Sequence, residues 1–396
     1  MSAASSAAQM RILLFLHSFG PGGVERVALR LAGAWAEAGQ DVRVLMGRRD
    51  GPETSIAPEN VLYDYARSHP LARRFETLWM VRHLVLAVRR HRPDVLFCAG
   101  NTYTIVAALA RLILGAECPP IVSKLSNSLD RRDLPGPARL GHRLWLRQHP
   151  HFIEHFVGLS EPMRSEIERF LLVPPERVSI IPNPVLTSDD IRQLAGARSP
   201  CVHGEGRRFV AVGRLTRQKN FSLLLRAFAR IAKSGDRLVI VGDGPHRKRL
   251  KRQAAKLGIS ERVNLPGHER SVAGLLKAAD VFVTSSNYEG VPGAVVEALA
   301  AGMPIVATKS SSCLSHLLAE GELGQIVDIR DVAGLAQALE NAPIDRHLPL
   351  ATMRSMASLY TIERSASLYL RVLAAAAAGR SVSSDWTEAE PLAEAA

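Results

Sequence analysis

At 396 residues the chain is longer than one hydrophobic core usually serves, so two domains of ordinary size are expected. Hydrophobic residues make up 47% and charged residues 22% of it, a globular composition that excludes a fibrous or wholly disordered chain. The net charge of +12, with an isoelectric point of about 10.0, favours acidic partners such as nucleotide diphosphates, anionic lipid headgroups, acidic glycans or nucleic acid, without choosing among them.

Short β-branched or apolar runs alternate with helical periodicity along the whole chain, the pattern of parallel sheets wrapped by helices. After a small, polar start, residues 12–17 read as a strand, 24–38 as a helix, 42–46 as a strand, 77–91 as a helix and 95–99 as a strand. Further strands are expected at 121–125, 157–159 and 178–181. The Gly20-Pro21-Gly22-Gly23 turn stops the first apolar run far short of a membrane span, and no signal peptide is read. Residues 186–206, polar and rich in Gly, Ser and Pro, read as a linker. A second series follows: strand 209–212, helix 221–233, strand 238–241, helix 245–257, then strands 263–265, 281–284 and 305–307.

The expected fold is therefore α/β, two Rossmann-like domains facing each other across a cleft with ligand at the carboxyl ends of strands. The divisions are 10–185 for a first Rossmann-like domain, 186–206 for the linker, 207–360 for a second Rossmann-like domain, 361–376 for a terminal helix and 377–396 for a disordered tail. Periodicity leaves open whether the terminal helix returns to the first domain. Cys98, Cys118, Cys201 and Cys313 are scattered without a CxxC pair, so neither a zinc site nor a disulfide framework is expected, as suits a reducing compartment.

The sharpest chemical signal is the run from Tyr288-Glu289-Gly290-Val291-Pro292-Gly293 through Glu297, placed after a strand and opening a helix. An isolated pair of acids at this spacing would read as two surface carboxylates flanking a βα turn. Here Glu289 falls in the Gly/Pro loop and Glu297 about one turn into the helix, so both can face a ligand while the loop amides stay free. Helix amides attract phosphate and carboxylates bind vicinal hydroxyls, so a sugar nucleotide satisfies the whole arrangement.

This run resembles the donor-binding signature of glycosyltransferase family 4, and the resemblance covers most of the chain. Val212-Gly213-Arg214-Leu215-Thr216-Arg217-Gln218-Lys219-Asn220 is similar to the family's strand-loop segment, which implies that Arg214 and Lys219 grip the donor diphosphate. Val241-Gly242-Asp243-Gly244-Pro245 is similar to the next βα turn, and Arg262-Val263-Asn264-Leu265-Pro266-Gly267 to the segment beside the nucleobase. Ile180-Ile181-Pro182-Asn183-Pro184 resembles the run that closes the first domain, and Gly20-Pro21-Gly22-Gly23-Val24-Glu25-Arg26 the glycine-rich acceptor-side loop.

The resemblance implies a GT-B enzyme that retains anomeric configuration. Donor contacts would come from Gly22, Gly23, Arg214, Lys219, Gly242, Gly244, Leu265, Glu289, Gly290, Val291, Pro292, Gly293 and Glu297. Among these Glu297 would take the ribose hydroxyls and Glu289 those of the transferred sugar. Arg214, Lys219 and Glu289 would carry the catalysis, with charge on the leaving diphosphate stabilised as a metal would do elsewhere. No Asp-x-Asp pair occurs, so no metal and no cofactor beyond the nucleotide-sugar co-substrate are expected.

The chain departs from the family pattern at Pro184, at the Gly-Val-Pro loop, and at Val122-Ser123-Lys124-Leu125-Ser126-Asn127, where many relatives carry a His. Lys124 and Asn127 are candidate acceptor-side contacts or structural residues, as is His17 at the end of the first strand. An epimerase or phosphorylase of the same scaffold would need acids and histidines in both domains, and that set is not found. With 5% aromatics and no stacking motif, nucleic acid is not an expected partner. Basic runs at Arg73-Arg74, Arg89-Arg90 and Arg131-Arg132, beside apolar residues such as Leu84-Val85-Leu86, suggest a cytoplasmic enzyme held on an anionic membrane face, with a glycan or glycolipid acceptor.

Overall fold

The computed structural model describes residues 9–20, 23–51, 54, 57–66, 75–126, 129–130, 135–195, 206–269, 271–344 and 348–380. The expected contacts Gly22 and Asn127, the Arg73-Arg74 and Arg131-Arg132 pairs, Cys201 and nearly all of the 377–396 tail lie outside these residues. The chain forms two compact units, one of Met1–Pro184 together with Ile362–Ala396, the other of Val185–Thr361.

In the first unit the strands are β1 (Arg11–Leu16), β2 (Asp41–Met46), β3 (Leu62–Tyr65), β4 (Val95–Cys98), β5 (Ile121–Lys124), β6 (His155–Gly158) and β7 (Val178–Ile180). They pair in the order β3-β2-β1-β4-β5-β6-β7, every pair parallel. Parallel neighbours need long crossovers, which helices such as Gly23–Glu37, Glu76–His91 and Thr104–Leu114 supply. Strands β4, β5 and β6 are buried along their whole length: β4 is an unbroken apolar run, whereas β5 and β6 also bury Ser123, Lys124 and His155. Edge strand β3 is Leu-Tyr-Asp-Tyr with both ends exposed, so it had no such run to reveal it. The order reverses between β1 and β4, which makes the carboxyl ends of those two strands the crevice of this unit.

The terminal helix, Ile362–Ala377, belongs to this unit. Trp35 donates its indole N–H to the Ala366 carbonyl at 3.2 Å, and the rings of Trp35, Phe97 and Tyr369 meet at steep angles, 5.2–6.0 Å apart. All three rings are fully buried, so the helix is part of the core.

The second unit contains β8 (Arg208–Val212), β9 (Arg237–Val241), β10 (Val263–Gly267), β11 (Val281–Thr284), β12 (Ile305–Thr308) and β13 (Gln325–Val327). Their order is β10-β9-β8-β11-β12-β13, again all parallel, with the reversal between β8 and β11. Two apolar clusters cover the two faces. One is built on helices Phe221–Ile231 and Val332–Glu340, the other on helix Gly293–Ala300 and its neighbours.

The expected linker over 186–206 is corrected in its first half. Thr187 accepts from the Asp190 amide at 2.9 Å while the Asp190 carboxylate accepts from the Thr187 amide at 2.8 Å, a capping box that starts helix Ser188–Leu194. Leu186 and Leu194 then bury themselves in the second unit's core, so these residues are structure and not spacer. Among the described residues Cys98, Cys118 and Cys313 are buried and form no disulfide, and no helix is long and apolar enough to cross a membrane.

Candidate functional site

In the second unit the loops leaving β8 and β11 meet at the strand-order reversal. Lys219, on the first loop, places Nζ 2.5 Å from Oε1 of Glu289 on the second, and the same oxygen accepts from Ser286 Oγ at 2.5 Å. The Glu289 side chain is 8% exposed and that of Lys219 19%, so the pair is largely withdrawn from water. A carboxylate held by an ammonium and a hydroxyl is fixed in orientation, and its remaining oxygen is left to accept a ligand hydroxyl.

Both loops are tied down by polar contacts. Asn287 receives a hydrogen bond from Asn220 at 3.1 Å, donates to the Arg217 carbonyl at 2.7 Å and bonds through its amide to the Gln218 carbonyl at 2.8 Å. Thr308 donates to the Ser286 carbonyl at 2.7 Å, and Ser311 to the Gly290 carbonyl at 3.2 Å. The amides of Gly290, Val291, Gly293 and Ala294 make no hydrogen bond among the described residues. They stand at the start of helix Gly293–Ala300, where unpaired N–H groups and the helix dipole favour an anion. Glu297 is half-buried on the same helix, and Arg214 is exposed on the β8 loop with no acidic partner among the described residues.

The glycines have a structural reason of their own. A Cβ on Gly242, at φ +133°, would fall 2.1 Å from the Gly213 carbonyl oxygen, and one on Gly244 would fall 2.7 Å from that of Leu215. They let the loops after β8 and β9 touch, which places the 214–219 segment. One on Gly213 would meet the Lys219 stem at 2.9 Å, so that glycine gives the lysine its path to Glu289. Leu265, expected beside a nucleobase, is 8% exposed and packs in the core beneath helices Phe221–Ile231 and Arg247–Lys256. Its side chain therefore does not join the other expected contacts. Its carbonyl accepts from Arg247 at 2.5 Å.

The first unit's crevice gathers a second polar set. Lys124, the last residue of β5, is 2% exposed, has no hydrogen-bond partner among the described residues, and is pushed down to about 7 by burial, which Glu25 offsets in part. Tyr103 donates to Glu25 Oε1 at 2.9 Å and stacks on His17 at 4.9 Å, and burial holds the His17 imidazole below its ordinary value. The Ser126 amide bonds to Asn101 Oδ1 at 2.8 Å beside them. A Cβ on Gly23, at the head of helix Gly23–Glu37, would meet nothing within 4 Å.

The sequence reading named His17 and Lys124 but missed Glu25, Tyr103, Ser286, Asn287 and Thr308. The available signal was a polar residue directly after an apolar strand, as in Val281-Phe282-Val283-Thr284 followed by Ser285-Ser286-Asn287. Among the described residues no three His, Cys, Asp or Glu side chains converge as metal ligands would.

Two doubly wound parallel units, one with a lysine–carboxylate pair beside open helix amides at its strand-order reversal, define the GT-B class of glycosyltransferase fold. Residues 201–356 match the model of glycosyl transferases group 1 and residues 21–189 that of glycosyltransferase family 4, and the chain belongs to that family. It is 37% identical over 139 residues to the lipopolysaccharide core biosynthesis glycosyltransferase LpsE of Rhizobium meliloti, a match covering 35% of this chain and 40% of that one. Its matches to two further curated relatives cover 63% and 37% of their lengths. A longer match, 26% identical over 347 residues and covering 84% of this chain and 88% of the other, is to a Campylobacter jejuni alpha-1,4-N-acetyl-D-galactosaminyltransferase named for a diNAcBac-PP-undecaprenol glycan. In fold the chain is similar to Anabaena HepE, solved in complex with UDP, with a TM-score of 0.74, 20% identity, and coverage of 92% of this chain and 100% of that one.

Proposed function

We propose that this chain is a retaining glycosyltransferase that takes a sugar from a nucleotide diphosphate, UDP before others, and places it on a lipid-linked or lipopolysaccharide-type glycan. The observation that carries the reading is the Lys219–Glu289 pair beside the open amides of 290–294. Glu289 accepts from hydroxyls of the transferred sugar, Glu297 from those of the ribose, and Arg214, Lys219 and the helix amides meet the diphosphate. As the sugar–phosphate bond breaks, negative charge grows on the leaving diphosphate, where fixed cations and amides are worth most. Glu289, already bound by Lys219 and Ser286, orients the sugar and does not act as the nucleophile. The donor reading is supported by HepE, solved with UDP and glucose, and by similarity to an Escherichia coli enzyme named as a UDP-Gal transferase onto a diphosphoundecaprenol sugar. The acceptor reading is supported by the names of the Rhizobium and Campylobacter relatives.

Lys124, Glu25, Tyr103 and His17 form the acceptor-side polar set of the first unit. Attachment to an anionic membrane face is part of the same reading, but its basis in the sequence is corrected: Leu84 and Val85 are buried and only Leu86 is exposed. Better support comes from helix Gly136–Leu146, where Leu140 is 61% and Leu144 53% exposed, alongside exposed Arg143 and Arg147.

The test is a panel of nucleotide sugars screened for protection against thermal unfolding, then for transfer in excess EDTA. A ligand bound to the native state raises its stability by mass action. A UDP-sugar should protect, and transfer should continue without divalent metal. Protection by no nucleotide sugar, or activity lost to EDTA and restored by Mg²⁺, removes the reading or its metal-free step respectively.

A further inference from the structure

A second cavity lies in the nucleotide-sugar unit, of about 440 Å³, the size of small-molecule sites. None of the donor residues named above lines it. Its charge is one-sided: Arg217 from the loop after β8, Arg226 from helix Phe221–Ile231, Arg249 from helix Arg247–Lys256 and Arg330 from the turn after β13 surround it, with His246. No carboxylate is among its lining residues, and none of the four guanidinium groups has an ion pair among the described residues. Four separate segments thus bring exposed arginines to the rim of one space. Water and salt screen their mutual repulsion, and an anion seated among them is attracted by all four.

The backbone contributes to the same space. Arg330 at φ +68° and Asn220 at φ +46° are two of the six non-glycine residues with positive φ among the described residues, and both line this cavity. Such conformations cost energy and persist where the surroundings hold them. Planar guanidinium groups grip phosphate by paired hydrogen bonds and suit it better than a carboxylate-free pocket of lysines would. The Asn220 side-chain oxygen accepts no hydrogen bond among the described residues, and a sugar hydroxyl would satisfy it.

We propose that this cavity is a second ligand site, which binds a sugar phosphomonoester, either free or as the phosphorylated residue of a larger glycan. Lys219 and Glu289 are not among its lining residues, although Arg217 and Asn220, which are, belong to the same loop as Lys219. Asn220, Asn287 and Arg217 share the hydrogen bonds that fix both loops, so an occupant here bears on the donor pair through them.

The test uses the full chain and titration calorimetry with glucose 6-phosphate, glucose, inorganic phosphate and an oligosaccharide carrying one phosphorylated hexose, each with and without saturating UDP. Glucose 6-phosphate should bind more tightly than glucose or inorganic phosphate and should not be displaced by UDP. Binding by the phosphorylated oligosaccharide alone supports the site equally and assigns the glycan as its source. Arg226→Gln and Arg249→Gln, both exposed side chains, should each weaken the phosphorylated probe roughly tenfold or more while leaving UDP affinity unchanged. The proposal is overturned if neither phosphorylated probe binds at millimolar concentration, if UDP competes with it, if inorganic phosphate binds as tightly, or if the two variants bind as the parent does. A failure of UDP itself to bind counts against the donor reading and leaves this one standing.

Discussion

Replacing Lys124 by methionine should make the protein more stable and less active. The lysine sits 2% exposed at the end of β5 without a hydrogen-bond partner among the described residues, and burial brings its ammonium down from 10.5 to about 7. At about 1.4 kcal/mol per pH unit, that fall sets a ceiling of about 5 kcal/mol on the cost of carrying the amine into the fold. Methionine removes the titratable group at similar length and volume, so a gain of about 2 kcal/mol at pH 7 is expected after its own packing differences.

The pH dependence has a definite sign. Between about 7 and 10.5 the unfolded lysine holds its proton and the folded one does not, so the parent gains stability as pH rises through that window. Below it the cost is full and constant. The stability difference between Lys124→Met and the parent should therefore be largest at pH 6–7 and shrink towards pH 10, read from urea midpoints at each pH. Glu25 is the charged group that opposes the shift, so Glu25→Gln should lower the folded lysine further and extend the same dependence to lower pH. Transfer by Lys124→Met should fall even as stability rises, because a buried group whose titration is strongly perturbed at a crevice is a candidate functional residue. If the variant is less stable at pH 7, or follows the parent in parallel across the range, the buried unpaired lysine is not as described.

Gly242→Ala puts a Cβ 2.1 Å from the Gly213 carbonyl oxygen at φ +133°, so it should cost more than about 2 kcal/mol, and an unchanged thermal midpoint would contradict the packing of these loops. Glu297→Ala and Lys219→Ala should each lower transfer roughly ten- to hundredfold, the loss of a hydrogen bond to a charged group. Lys219→Ala should also lose about 1–3 kcal/mol of stability, since it strands the nearly buried Glu289. Full turnover by either at limiting donor removes its assignment. Binding to phosphatidylglycerol vesicles should occur at low ionic strength, weaken steeply with salt, and fall in Leu140→Asp and Leu144→Asp. Indifference to such vesicles would sink the membrane reading alone.

The sequence by itself determined the α/β class, most of the buried strands and the place of the Glu289–Glu297 run after a strand. Most buried parallel strands read as apolar runs, β5 and β6 being broken by Ser123, Lys124 and His155, and Glu289, Lys219 and Glu297 lie in segments whose spacing from a strand end already places them at its carboxyl edge. Strands β3 and β13 and helix Ser188–Leu194 escaped because edge strands that are not fully buried have no long apolar run and because a seven-residue helix is announced only by its cap. Tertiary structure alone decided which side chains meet. Lys219 and Glu289 are 70 residues apart and pair because the strand order reverses between β8 and β11, while Lys124 became perturbed because the strands and helix around it exclude water. Likewise the four arginines around the cavity are scattered along the chain, and only the packing of four separate segments brings them, still exposed, around one space. Periodicity reports which face of an element is buried. It carries no information on which distant residues will share that burial, since that depends on strand order, and strand order is fixed by the packing of the whole unit.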